Sequence, residues 1–146
     1  MKISFFGHRN FVCDEKYEKR VFDILVKAKN NAQDEHIEFL LGGYGNFDRF
    51  ALNCAKDFRS VINDVTITLV TPYINYQCTE GYDSVLYPSL ENVPRKFAII
   101  YRNRAMVEKS DMIIAFITHR FGGAYEAVKY AKSKGKTIIN LADFVV

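Results

Sequence analysis

Apolar and polar positions along the chain follow two periods in turn. Residues 3–6, 37–41, 65–70, 112–117 and 137–141 are short runs rich in β-branched or aromatic side chains, with the length of buried strands. Their near-continuous apolar character suits parallel strands covered on both faces. Between them the period lengthens. Phe47, Phe50, Ala51, Cys54, Ala55 and Phe58 recur at the spacing of one helix face, with Lys56, Asp57 and Arg59 on the other side. Residues 14–32 set Tyr17, Val21, Leu25 and Ala28 along one stripe, and Asp14 and Glu15 stand at the start, where the helix dipole favours acids. Residues 124–134 place Ala127, Val128 and Ala131 inward, and Gly135 is available for the positive φ of a helix C′ position. A further helix is predicted over 95–109.

Strands alternating with helices predict an open, doubly wound, Rossmann-like α/β sheet, about five parallel strands in the order 3-2-1-4-5 with helices on both faces. Residues 1–146 read as a single domain without repeat or linker. One stretch stands apart. Residues 71–94 hold Pro72, Pro88 and Pro94, and also Tyr73, Tyr76, Tyr82 and Tyr87, with little regular pattern. A loop of this length is either a lid over a site or a surface connection with a short helix.

Composition narrows the class. With 146 residues, 49% hydrophobic and 25% charged, the chain buries enough surface to need neither disulfides nor a structural metal. No apolar run approaches the ~20 residues that span a bilayer, and the first apolar run is too brief for a secretory signal. A cytoplasmic location is therefore expected, away from membranes. Cys13, Cys54 and Cys78 lack metal-ligand spacing and read as reduced thiols. Twenty Lys plus Arg against seventeen Asp plus Glu give a net charge of +3, and the cations are scattered. A dedicated nucleic-acid binder carries clustered cations, so this balance argues against a nucleic-acid partner. A phosphorylated small molecule needs only a few local charges.

Ligands of open parallel sheets bind beyond the carboxyl ends of the strands, near the reversal of strand order. There the first strand ends in Gly7-His8-Arg9, the second in Gly42-Gly43-Tyr44-Gly45-Asn46, and the fourth runs on to His119-Arg120-Phe121-Gly122-Gly123. Glycine turns that open helices let backbone approach an anion closely, although strand-to-helix turns also use glycine for backbone reasons alone. Neither turn is a Walker loop or a full dinucleotide fingerprint. Arg9 is placed either to pair with a carboxylate, Asp48 being the candidate, or to fork onto a phosphate. Arg102-Asn103-Arg104 supplies many donors to a polyanion or sugar, or else leaves one arginine solvated on a helix face. His8 has no second histidine nearby in sequence, which argues against a metal, and His36 and His119 read as loop residues. The tyrosines of residues 71–94 either stack on a base or pack on the domain. Phe22 and Phe58 are either core or the outer face of a helix-mediated homodimer.

Together, Gly7-His8-Arg9, Gly42-Gly43 with Asp48, Arg102-Asn103-Arg104-Ala105-Met106-Val107 before Ser110-Asp111, and Gly122-Gly123 before Tyr130-Ala131-Lys132-Ser133-Lys134-Gly135-Lys136 resemble the SLOG superfamily. That superfamily groups Rossmann-like domains related to the LOG cytokinin-activating enzymes and the DprA/Smf proteins. The resemblance covers nearly the whole chain except residues 71–94, and is greatest to the small stand-alone bacterial and phage branch. It implies a nucleotide-derived ligand, such as a nucleoside monophosphate, ADP-ribose or an NAD-like molecule. Gly7, His8, Arg9, Gly42, Gly43, Asp48, Arg102, Asn103, Arg104, Gly122 and Gly123 would hold it, with no cofactor and no metal.

Three functions follow from the resemblance. The first is a nucleotide sensor or sequestering protein without turnover. The second is an N-glycosidic hydrolase or transferase with Glu126 and Asp48 as carboxylates. The sequence departs from those enzymes: Arg120-Phe121-Gly122-Gly123-Ala124-Tyr125-Glu126 lacks the proline, third glycine and threonine of the LOG motif, and Ala127 stands where deoxyribosyltransferases carry glutamate. The third is a DprA-like module associated with single-stranded DNA.

Overall fold

In the computed structural model, which describes residues 1–33, 35–75 and 79–146, six parallel strands form one sheet. Tyr76 and Cys78 lie outside the described residues. In chain order the elements are β1 (Lys2–Gly7), α1 (Glu15–Asn31), β2 (Ile37–Leu41), α2 (Asn46–Val61), β3 (Val65–Val70), β4 (Ser84–Leu86), a 3₁₀ turn (Arg95–Phe97), α3 (Ala98–Lys109), β5 (Met112–Phe116), α4 (Gly123–Ser133) and β6 (Thr137–Asn140). The strand order is β4-β3-β2-β1-β5-β6.

The five expected strands take their expected order, and the count is corrected to six. The added strand, β4, comes from the Pro- and Tyr-rich stretch and pairs with β3 through Thr68↔Ser84, Leu69↔Val85 and Val70↔Leu86. At three residues on the sheet edge it is too short to carry a readable period.

Successive strand residues face opposite sides, so the apolar runs feed two cores. Ile3, Phe5, Phe39, Leu41, Ile67 and Ile114 pack with Val21 and Leu25 of α1 and Phe47, Phe50, Ala51 and Phe58 of α2. Phe6, Leu40, Val70, Ile113 and Ala115 pack with Met106 and Val107 of α3 and Ala127, Val128 and Ala131 of α4. Phe58 is fully buried, and Phe22 meets its ring edge-on at 6.0 Å. Phe58 therefore belongs to the core and offers no outer face to a second copy.

Helix ends follow local chemistry. The Asp14 side chain accepts from the Lys16 N–H and caps α1. At the end of α4, Gly135 N–H donates to the Lys132 carbonyl and Lys136 N–H to that of Ala131, the paired bonds of a Schellman stop, with Gly135 at φ 70°. Under the sheet's carboxyl edge, Phe11, Phe47, Phe50 and Phe116 pack ring against ring at 4.7 to 6.4 Å. This cluster fixes the connection after β1. Gly7 is part of the arrangement, because a Cβ there would collide with the Phe47 ring.

Candidate functional site

The chain builds outward from β1 to β4 on one side and returns to β5 and β6 on the other, so strand order reverses between β1 and β5. A cleft of about 600 Å³ opens beyond the carboxyl ends of these strands, where an open α/β sheet takes its ligands. Four segments wall it: the turn from Gly7 to Asn10, the β2–α2 turn, one side of α3, and the β5–α4 turn.

Of the residues singled out in the sequence, Gly7, His8, Arg9, Gly42, Asp48, Arg102, Asn103, Gly122 and Gly123 line this cleft. Arg104 and Glu126 line an adjoining groove between α3 and α4 instead. Gly43 shapes the β2–α2 turn with φ 70°. The two candidate carboxylates, Asp48 and Glu126, thus face different cavities, an arrangement unlike a pair flanking one glycosidic bond. Tyr44, Asn10, His119 and Phe121 also line the cleft, and their contribution was not apparent in the sequence. The only hint is position, since Tyr44 and Phe121 each sit against a glycine that opens a helix.

Arg102 is buried and holds the floor of the cleft together. Its Nη1 donates to the carbonyls of Gly42 and Val70, both at 2.9 Å, and its Nε donates to Asn103 Oδ1. It thereby ties the ends of β2 and β3 to α3. Arg102, not Arg9, is the cation beside Asp48: the Asp48 residue is half-buried, but its Oδ2 lies beside the buried Gly42 together with the Arg102 guanidinium. The same Oδ2 accepts from the Tyr44 N–H at 2.8 Å. Burial pushes the Asp48 carboxyl up to about 6, against the opposing pull of the Tyr44 N–H and the Arg102 charge. Arg9 takes the place over the Tyr44 ring, 4.9 Å from its centroid.

His8 closes the back wall. It is buried, and its Nε2 accepts the Thr118 N–H at 3.0 Å, so the neutral ring carries its proton on Nδ1. Burial, and secondarily His119, lower its pKa below the ordinary histidine value. The His119 ring stacks on His8 at 3.6 Å with an 8° interplanar angle, and Phe121 follows His119 at 3.9 Å.

The helices that open on this edge differ at their first turns. α1 is capped by Asp14, whereas α4 begins after Gly122 at φ 94°, ψ 168°, a conformation essentially restricted to glycine, with no side chain to cap it. The N–H groups of Gly123 and Ala124 meet no protein acceptor among the described residues. Such an end favours negative charge.

In the adjoining groove, the Arg104 guanidinium lies between the rings of Tyr101 and Tyr130, at 5.3 and 5.4 Å. Of the loop tyrosines, Tyr73 carries Arg95 over its ring at 4.3 Å, and Tyr82 packs against the α1–α2 core.

No family model matches the chain, and no curated protein matches it. Among solved structures, DNA processing protein A (DprA) from Streptococcus pneumoniae is similar, with a TM-score of 0.65 and 16% identity over 99% of this chain and 51% of that one. DprA from Helicobacter pylori is similar with a TM-score of 0.63 and 16% identity, over 99% of this chain and 66% of that one. The chain thus spans about half to two-thirds of their length. These likenesses establish the Rossmann-like fold of the DprA proteins. The Helicobacter structure concerns a single-stranded DNA binding mode of that protein, and it corrects the argument against a nucleic-acid partner. That argument rested on the lack of a basic block. Here the cationic and aromatic groups of the cleft, Arg9, Tyr44, His119 and Phe121 from three turns and Arg102 from α3, are brought together by the fold, so a block in the sequence is not required to gather them. No helix among the described residues is long and apolar enough to cross a membrane.

Proposed function

We propose that the cleft binds single-stranded DNA, as a DprA-like module. The observation that carries this reading is the meeting, at one strand-order reversal, of an uncapped helix start at Gly122–Gly123, an exposed arginine at Arg9, and exposed aromatic rings at Tyr44 and Phe121. A helix start without a cap suits a backbone phosphate. Exposed aromatic faces suit bases of any sequence, and a single strand needs few charges when stacking supplies part of the affinity.

Binding of a labelled oligothymidylate, followed by fluorescence anisotropy at low salt, tests the reading. Saturable association is expected, stronger than for a duplex of the same length and weakened by Arg9→Ala. The logarithm of the association constant should fall linearly with that of salt, by about 0.7 per phosphate neutralised. Absence of saturation up to about 100 µM protein, the weak limit of non-specific association, would refute it.

A second reading rests on Asp48 and Arg102. A carboxyl poised near neutrality beside a buried guanidinium, in a concave cavity of about 600 Å³, suits a nucleotide-derived small molecule held without turnover. Thermal stability measured against nucleoside monophosphates, ADP-ribose and NAD separates the two: a ligand at 100 times its dissociation constant adds about 2.7 kcal/mol. A shift with these molecules and none with oligonucleotides would favour the second reading.

A further inference from the structure

We propose that the groove between α3 and α4 is a second binding site, distinct from the cleft, and that it takes a small apolar organic anion: an aromatic or branched aliphatic skeleton carrying one carboxylate, sulfonate or phosphate group. The inference goes beyond the single-strand reading and does not depend on it. The groove encloses about 680 Å³, a volume within the range of small-molecule sites. Its walls are mainly apolar, lined by Ile99 and Ile100 from α3 and by Ala127 and Tyr130 from α4. Ile99 and Ile100 are 42% and 46% exposed, and their neighbours Phe97 and Tyr101 are exposed as well. Large apolar side chains left open side by side mark a place of contact.

The charge of the groove identifies the class of ligand. Arg104 is flanked by the Tyr101 and Tyr130 rings, and its guanidinium makes no hydrogen bond or ion pair among the described residues. Glu108 is engaged elsewhere: its Oε1 accepts from the Tyr130 hydroxyl, a bond that also holds the Tyr130 ring in place. Lys129 adds a second cation to the lining. Asn103 gives its Oδ1 to the Arg102 Nε, which leaves its NH2 group to donate. Against these donors, Glu126 is the one carboxylate among the described lining residues. A guanidinium with open donors forks onto a carboxylate, sulfonate or phosphate, while the isoleucines and the Tyr130 ring take the carbon skeleton out of water. A bare inorganic anion would leave the apolar walls wet, and an uncharged hydrocarbon would gain nothing from Arg104, so the ligand combines both parts.

Anilinonaphthalene sulfonate, an apolar anion whose fluorescence rises on leaving water, tests the site when titrated with the folded protein beside its uncharged counterpart, N-phenylnaphthylamine. The sulfonate should bind saturably and more tightly than the neutral dye. Arg104→Gln should weaken the sulfonate by about 5- to 10-fold, the effect of one charge-assisted contact partly open to solvent, and leave the neutral dye unchanged. Ile100→Ser should weaken both dyes, and Arg9→Ala, in the cleft, should weaken neither. Equal affinity for the two dyes, a sulfonate affinity unchanged by Arg104→Gln, loss of the sulfonate in Arg9→Ala, or no saturable signal would each overturn the site. None of these results bears on oligothymidylate binding, so the groove and the single-strand reading fail separately.

Discussion

Replacing Asp48 with asparagine is expected to make the protein more stable at pH 8. In the fold, burial raises this carboxyl from the ordinary 3.8 to about 6. Below pH 3.8 the group is protonated in both states and contributes no pH dependence. Between 3.8 and 6 the unfolded chain releases the proton that the folded chain retains, so stability falls as pH rises. Above 6 the whole cost of holding a buried charge is present. At about 1.4 kcal/mol for each pH unit, the interval amounts to about 3 kcal/mol. Asparagine removes the charge and keeps an oxygen for the Tyr44 N–H, but it deprives Arg102 of a counter-charge. A net gain of about 1–3 kcal/mol is expected, which in a domain of this size raises Tm by about 2–4 °C per kcal/mol. Urea denaturation of both proteins at pH 4 and pH 8 measures it. The gain should be present at pH 8 and absent at pH 4. A variant less stable than the parent at pH 8, or a difference independent of pH, would refute the reasoning.

Three further outcomes follow from the same geometry. Arg102→Met leaves the Gly42 and Val70 carbonyls without their donor and should destabilise by about 3–5 kcal/mol in chemical denaturation, the usual effect of removing one partner from a buried charged cluster. Gly7→Ala sets a methyl group against the Phe47 ring and should cost about 1–3 kcal/mol through overpacking; an unchanged denaturation midpoint would contradict that contact. For His8, whose pKa is lowered in the fold by burial and by His119, the unfolded chain takes up a proton near pH 6.5 that the folded ring resists. The His8 contribution to stability should therefore be lost as pH falls below 6.5, opposite in sign to that of Asp48, so the stability of the parent relative to His8→Gln should decrease over that interval.

Much of the architecture was legible because it repeats simple periods. The runs at 37–41 and 65–70 are β2 and β3 to the residue, and the stripe from Phe47 to Phe58 is the buried face of α2. β4 was not legible, because three residues at a sheet edge carry no period. The glycine turns at the strand ends were legible from topology. Their partners were not, since those form through space. His8 meets the Thr118 N–H across 110 residues, and Arg102 reaches Gly42 across 60. Arg9 was placed either beside Asp48 or free to fork onto a phosphate, and α3 delivers Arg102 to that carboxylate instead. The argument from scattered charge failed for a related reason: the cleft gathers Arg9, Tyr44, His119 and Phe121 from separate turns, and the linear sequence does not display that gathering.

The most direct test of the central claim is a titration of isotopically labelled protein with oligothymidylate, read from backbone amide chemical shifts. The account predicts that the largest changes fall on Gly7 to Asn10, Gly42 to Asp48 and His119 to Ala124, with little change on the outer surfaces of α1 and α2. Changes confined to α1 and α2, or none at concentrations where anisotropy reports binding, would place the nucleic-acid site elsewhere and contradict the account.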